Sequence, residues 1–216
     1  MSRTRMAVLA AVAVMALAAP VHAMTVGGEV FGAYNSYGMS DWQDAIDQAN
    51  ASGANFNDVT SGFGGGLGLR TWATPSWMLA ATWEPLFKTS KDDASSTELK
   101  LNGNSYQATA GYFFPMSGPG KFGLGAGVGL YTLNGSISGA GGGDLTGSTV
   151  GFHFLGMGEW SVSPGFSLTG SAGYRVAKID DTKFNDTSSN PKFHTDYSGF
   201  MGRVGLAFYM PSSNSK

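Results

Sequence analysis

Wherever this chain alternates, charge keeps to the face that carries glycine, serine and threonine and stays off the face that carries bulk. Near the end, Phe200, Val204, Leu206, Phe208 and Met210 fall on one side and Gly199, Met201, Arg203, Gly205 and Ala207 on the other. Trp77, Leu79, Ala81, Trp83 and Phe87 likewise oppose Thr82 and Glu84, and Val150, Phe152, Phe154, Trp160 and Val162 oppose His153, Met157 and Glu159. Phe122, Leu124, Ala126, Val128 and Leu130 oppose four glycines, Gly123, Gly125, Gly127 and Gly129. Successive side chains of a strand point to opposite faces, so a period of two marks β-structure with two unlike sides.

Punctuation fixes how the strands connect. Three short connections are built on proline: Thr74-Pro75-Ser76-Trp77, Pro115-Met116-Ser117-Gly118-Pro119-Gly120 and Ser163-Pro164-Gly165. Proline fixes φ and glycine accepts positive φ, so these are tight turns. Four long polar connections lie between them, near residues 40–60, 89–98, 135–147 and 182–196. Short and long connections alternate, giving strands near 27–38, 62–73, 77–88, 99–114, 121–134, 148–162, 166–180 and 197–210. Both chain ends then fall on the short-turn side. Even strand number, short turns on one side and long loops on the other are the pattern of an all-β, up-and-down transmembrane barrel.

A soluble barrel has the same period, with the bulk inside. Its small face would then meet water and need charge, yet charged residues are only 13% of the chain, against 33 glycines. With the bulk outside, the glycines instead fit the narrow interior of an eight-stranded barrel. Aromatic residues also gather beside the turns, at Trp77, Phe114, Phe122, Trp160, Phe166 and Phe208, as an interfacial girdle does. The membrane arrangement is therefore expected.

The amino terminus agrees with export. Arg3 and Arg5 precede an apolar run from Met6 to Ala19, and Val21-His22-Ala23 supplies a small-x-small cleavage pattern. Residues 1–23 are read as a cleaved signal peptide, 24–210 as the barrel and 211–216 as a short periplasmic tail. With no cysteine there is neither a lipidation site nor a disulfide. Removing the two leader arginines from 13 basic residues leaves 11 against 15 acidic ones, a net of −4 that argues against nucleic acid.

The leader, eight alternating strands, proline turns and the aromatic-rich stretch Gly202-Arg203-Val204-Gly205-Leu206-Ala207-Phe208-Tyr209 resemble the small outer-membrane barrel superfamily of OmpA transmembrane-domain, OmpX and OmpW type. The resemblance covers the mature chain and is architectural. It implies a monomer in the outer membrane of a Gram-negative cell. The implied partners are outer-membrane lipid and lipopolysaccharide, together with the barrel insertion machinery. The tail is too short for a peptidoglycan-binding domain.

By parity, Glu29, Arg70, Glu84, Gln107, His153, Glu159, Arg175 and Arg203 point into the barrel. Pairing Thr74 with Met78 would set Arg70 opposite Thr82 and diagonal to Glu84; pairing Ser161 with Ser167 sets His153 opposite Arg175. Charges in a low-dielectric interior must pair, so the expectation is a lumen plugged by salt bridges. The alternative is a narrow conduit for small or hydrophobic solutes in which Arg70 and Glu84 exchange partners. A lipid-modifying enzyme is a third reading, but catalysis needs a base, a nucleophile and an orienting carboxylate together. The mature histidines, His153 and His194, lack that spacing, although His194 lies near Asp196 and Ser198. No catalysis, cofactor or metal is expected.

The first long connection carries a helix pattern. Ser40 with Gln43 has capping-box spacing, Trp42, Ala45, Ile46 and Ala49 form a stripe, and Gly53 suits the exit. A short external helix over 41–51 is predicted, packed on the rim or serving as a lid or docking face. The acidic spacing Asp41, Asp44, Asp47 is not a calcium-loop pattern.

Overall fold

The computed structural model describes residues 25–92, 97–139, 142–188 and 192–210. The leader and the tail lie outside the described residues. Eight strands form the wall: β1 (Thr25–Ser36), β2 (Ser61–Trp72), β3 (Trp77–Leu86), β4 (Gly103–Phe113), β5 (Gly120–Ser138), β6 (Gly143–Ser163), β7 (Phe166–Val176) and β8 (Gly199–Tyr209). Each is antiparallel to the next. β8 returns to β1 from Gly27↔Tyr209 to Asn35↔Met201, which closes the barrel. One helix, α1 (Ser40–Ala51), follows β1.

The two faces are sorted as their chemistry demands. Glu84, His153 and Arg175 are 0% exposed, while Phe63, Val204 and Phe154 are 83%, 66% and 64% exposed. At the external end the outward apolar run stops on Tyr34, Phe63, Phe87, Tyr106, Leu130, Val150, Val176 and Phe200. The next outward positions are Ser36, Ser61, Thr89, Asn104, Thr132, Ser148, Lys178 and Ser198, a sharp change to hydroxyls with one amide and one ammonium. At the short-turn end Trp77, Phe114, Phe122, Trp160 and Phe208 stand exposed. Their rings contact one another or near neighbours: Trp77 meets Tyr112 at 5.3 Å, Phe114 meets Phe122 at 6.2 Å and Phe166 meets Phe208 at 5.1 Å.

Two of the long connections expected from composition are largely β-structure. β5 and β6 run past 134 and start before 148, pairing as far as Ile137↔Gly143. The strand period continues there, with Leu133, Gly135 and Ile137 on the inner side and Asn134 and Ser136 outward. The outward residues turn polar above the apolar band, so composition reads as loop where alternation still reads as strand. The 89–98 connection likewise contains Thr89–Asp92 paired with Thr97–Lys100, and Glu98↔Ser138 joins it to β5. Beyond β6, Lys183–Phe184 lies against Leu145 and Thr146.

The apolar residues left inside make two cores. One fills the external end: Tyr37, Met39, Trp42, Ile46, Val59, Leu86, Leu99, Tyr131, Leu133, Ile179 and Tyr197 belong to it. The other lies within the lumen, from Trp72, Met78, Phe113, Leu155, Met157 and Met201. Glycine makes the room for this filling. A Cβ on Gly127 would meet His153 Nε2 at 2.5 Å, and one on Gly125 would meet Met157 Sδ at 2.6 Å. On the outer face, a Cβ on Gly32 would meet nothing nearer than Val204 O at 4.0 Å. Gly127→Val is therefore expected to cost about 1–3 kcal/mol by overpacking, and Gly32→Val less than about 0.5 kcal/mol. Urea unfolding of the refolded barrel checks the contrast; equal effects would deny that the odd-numbered glycines face a filled lumen.

Candidate functional site

The lumen charges form two layers. Toward the short turns, Arg70 holds two carboxylates, Nη1 to Glu29 at 3.2 Å and Nη2 to Glu159 at 3.1 Å. Thr169 donates its hydroxyl to Glu29 at 2.6 Å. Tyr209 donates to Glu159 at 2.9 Å and accepts the Trp72 indole N–H at 3.1 Å. The Lys121 ammonium lies 4.0 Å from the Trp72 ring centroid, a cation–π contact at the rim. This layer ends on an open bowl of about 770 Å³ lined by Trp72, Lys121, Glu159 and Tyr209 together with turn residues.

In the middle layer, Glu84 accepts from Arg203 Nη2 at 2.5 Å and from Asn35 Nδ2 at 2.6 Å. Arg203 also donates to Gln107 at 2.9 Å, and Gln107 donates to the Ser105 hydroxyl at 2.7 Å. Arg175 donates Nε to the Tyr197 carbonyl at 2.7 Å and Nη1 to Asn35 at 3.3 Å. Its guanidinium lies 5.6 and 5.4 Å from the rings of Tyr37 and Tyr131. His153 opposes Arg175 across the β6–β7 ladder, in the Ser161↔Ser167 register, and its Nε2 lies 2.8 Å from the Thr109 hydroxyl. Arg70 thus takes two glutamates and Arg203 the third, while Arg175 is held by a carbonyl, an amide and two aromatic rings. Between the layers is a cavity of about 30 Å³ lined by Glu29, Arg70, Thr82, Thr109, Thr169 and Arg203 among others.

The register that would set Arg70 diagonal to Glu84 is not the one formed. Trp72 pairs with Met78, so Arg70 lies opposite Ala80 and not opposite Thr82. The cause is a four-residue turn over 73–76, in which the Thr74 hydroxyl accepts the backbone N–H groups of Ser76 and Trp77 at 3.3 and 3.0 Å. Glu84 therefore sits two further pairs up the barrel, where β8 brings Arg203 to it. Asn35, Thr109, Tyr131 and Tyr209 are network members that the selection of charged residues missed. The same inward parity would have found all four.

Over the middle layer lies α1. Its start differs from the expected capping box: the N-cap is Met39, at φ 26°, and no side chain caps it. Ser40 instead donates to Asp41 at 3.4 Å, and Gln43 is occupied with Asp47 at 2.9 Å and the Val59 N–H at 3.3 Å. Gly53, at φ 102°, takes the helix exit. Of the stripe, Trp42 and Ile46 are buried and Ala49 half-buried, whereas Ala45 is exposed. Trp42 packs edge-on against Phe193 at 4.5 Å and donates to the Thr195 hydroxyl at 2.9 Å. Asp41 receives both the backbone N–H of His194, at 2.9 Å, and its ring Nδ1, at 2.8 Å. His194 is thus tied to the helix and not to Asp196 or Ser198. Asp196 accepts the Ser198 N–H at 2.8 Å.

No protein-family model matches the chain, and no curated protein is similar to it in sequence. Among solved structures, the fold is similar to the outer membrane protein OprG of Pseudomonas aeruginosa, at 11% identity over 88% of this chain and 96% of that one, with TM-score 0.53. A major outer membrane protein of Thermus thermophilus is 14% identical over 88% of this chain and 100% of that one, with TM-score 0.53. The N-terminal β-barrel domain of Pseudomonas aeruginosa OprF is 13% identical over 86% of this chain and 97% of that one, with TM-score 0.50. The fold is that of the small eight-stranded outer-membrane barrels.

Two expectations follow from this geometry. Arg203→Met strands Glu84 as an uncompensated buried charge and should cost about 3–5 kcal/mol in urea unfolding, with much of it restored when Glu84→Gln is added. Burial raises the Asp41 carboxyl, but the His194 N–H and ring outweigh it and hold the carboxyl below the usual 3.8. A depressed carboxyl contributes stability that is complete above its unfolded value and is lost as pH falls through the folded one. Trp42 emission, read against Trp42→Phe, should therefore shift red as pH drops below 3.8, and Asp41→Asn should give the shifted emission at neutral pH.

Proposed function

We propose that the chain is an outer-membrane barrel plugged by its own side chains, acting as a structural and interaction scaffold that presents its external connections and α1. The outward apolar face and its aromatic rim support the membrane location, since a closed barrel leaves no unpaired strand edge toward lipid. The observation that carries the plugged lumen is its double closure. A compensated ion network spans the lumen through Arg70, Glu84 and Arg203, and an apolar core seals the external end above it. A solute path would have to separate buried ion pairs and also expel Trp42, Ile46, Tyr131 and Tyr197 from that core. The open bowl at the short turns has Glu159 in its lining, and Arg70 holds that carboxylate from the lumen side.

The arrangement gives little support to catalysis. His153 faces the Thr109 hydroxyl, but its Nδ1 has no orienting carboxylate. His194 has a carboxylate in Asp41, and among the described residues no hydroxyl is hydrogen-bonded to its ring. In a planar bilayer, refolded chain whose folding is verified by heat-modifiable gel migration should be silent, and so should its Glu84→Ala variant, with the variant less stable. Discrete conductance steps that vanish in Arg70→Ala or Glu84→Ala would overturn the plug and make the inward charges the filter of a conduit.

A further inference from the structure

The wall is not level at its external edge. β5 and β6 pair as far as Ile137↔Gly143, well past the last outward apolar row at Leu130↔Val150. The outward side of that projection does not touch hydrocarbon, so it faces whatever stands on the membrane surface. A groove of about 710 Å³ lies on it.

The ladder orders its lining into rows. At the base is Tyr106↔Leu130, the end of the apolar wall. Above it come Asn104↔Thr132↔Ser148, and above those Asn134↔Thr146↔Lys183. Rows are two residues apart, about 7 Å along a strand. Asp181 and Asp186 flank the upper row from the connection after β7. Trp83, beside the floor, donates its indole N–H to Asn104 at 3.0 Å.

We propose that this groove binds the sugar headgroup of a membrane glycolipid. The inference rests on the membrane location proposed above and is independent of the plugged lumen. Five neutral amide and hydroxyl side chains, Asn104, Thr132, Asn134, Thr146 and Ser148, supply donors and acceptors without charge, which matches a polyhydroxylated ring. Tyr106 offers an aromatic surface where the ring would meet its acyl chains. The charged members, Lys183 with Asp181 and Asp186, sum to −1, which disfavours recognition through phosphate. Two rows of depth also suit a headgroup that rises well above the acyl layer.

The test reconstitutes the full refolded chain in phospholipid nanodiscs and titrates lipopolysaccharide into them, reading Trp83 emission against Trp83→Phe. Saturable binding is expected, unchanged when the glycolipid is dephosphorylated, and at least tenfold weaker in Asn134→Leu/Thr146→Leu, whose outward positions leave heat-modifiable folding intact. Equal binding by that variant, or a response lost on dephosphorylation, overturns the sugar site. No response from a correctly inserted barrel overturns it as well. Failure to insert into any bilayer would instead overturn the membrane location.

Discussion

The fold depends first on a sheet that closes on itself, β8 returning to β1. β1 hydrogen-bonds to β2 on one side and to β8 on the other, so neither strand offers a row of bare N–H and C=O groups to lipid, where each would cost several kcal/mol. With the backbone committed in this way, side chains have only the choice between inside and outside. Eight strands leave an interior just wide enough to be filled. That is why glycines share the inner face with Arg175, His153 and Met157, and why bulk is on the outer one.

The inner charges stabilise a particular register more clearly than they stabilise the fold. A buried ion pair gives up hydration of both partners and recovers it only through good geometry, so an apolar replacement of equal volume is often as stable. What the pairs add is position. Arg203 and Glu84 lie 119 residues apart in sequence and Asn35 and Glu84 lie 49 apart, so one carboxylate ties β8 and β1 to β3. A slip of one residue in any ladder would turn those charges to the apolar outer face and the bulky residues into the lumen. Met78, Leu155, Met157 and Met201 fill the lumen around the charge layers, and water-poor surroundings of that kind strengthen the ion pairs within them.

Parity alone made the two faces, the eight strands and the short-turn girdle legible, because a single period of two runs through every strand. It also placed the charged residues inside, since Arg70, Glu84, His153 and Arg203 each sit among small residues. Partnerships were a different matter. They depend on register, and register depends on how many residues a turn uses. The Ser161↔Ser167 pairing put His153 across from Arg175, whereas the hydroxyl of Thr74 lengthened the β2–β3 turn and moved Arg70 away from Glu84. The external ends of β5 and β6 were lost for a third reason. Their outward residues become polar above the apolar band, where composition no longer marks a strand although the alternation continues.

The helix does more than cover the mouth, as the weakest seam of the wall indicates. β1 and β2 share twelve ladder pairs, but β2 and β3 share six, from Leu67↔Trp83 to Trp72↔Met78. Above them four of the six residues Ser61–Gly66 are glycine, and Pro85 of β3 has no N–H to give. Side chains and the connection after α1 take over where the ladder stops. Lys88 donates its ammonium to the Ser61 carbonyl at 2.8 Å, Ser90 donates to the Asn57 carbonyl at 2.7 Å, and the Asn55 N–H reaches Asp92 at 3.1 Å. Val59 and Leu86, one from each side of the seam, enter the same core as Trp42 and Ile46. The external half of this seam is therefore held by the packing that seats α1, so loosening the helix and loosening the wall are coupled events.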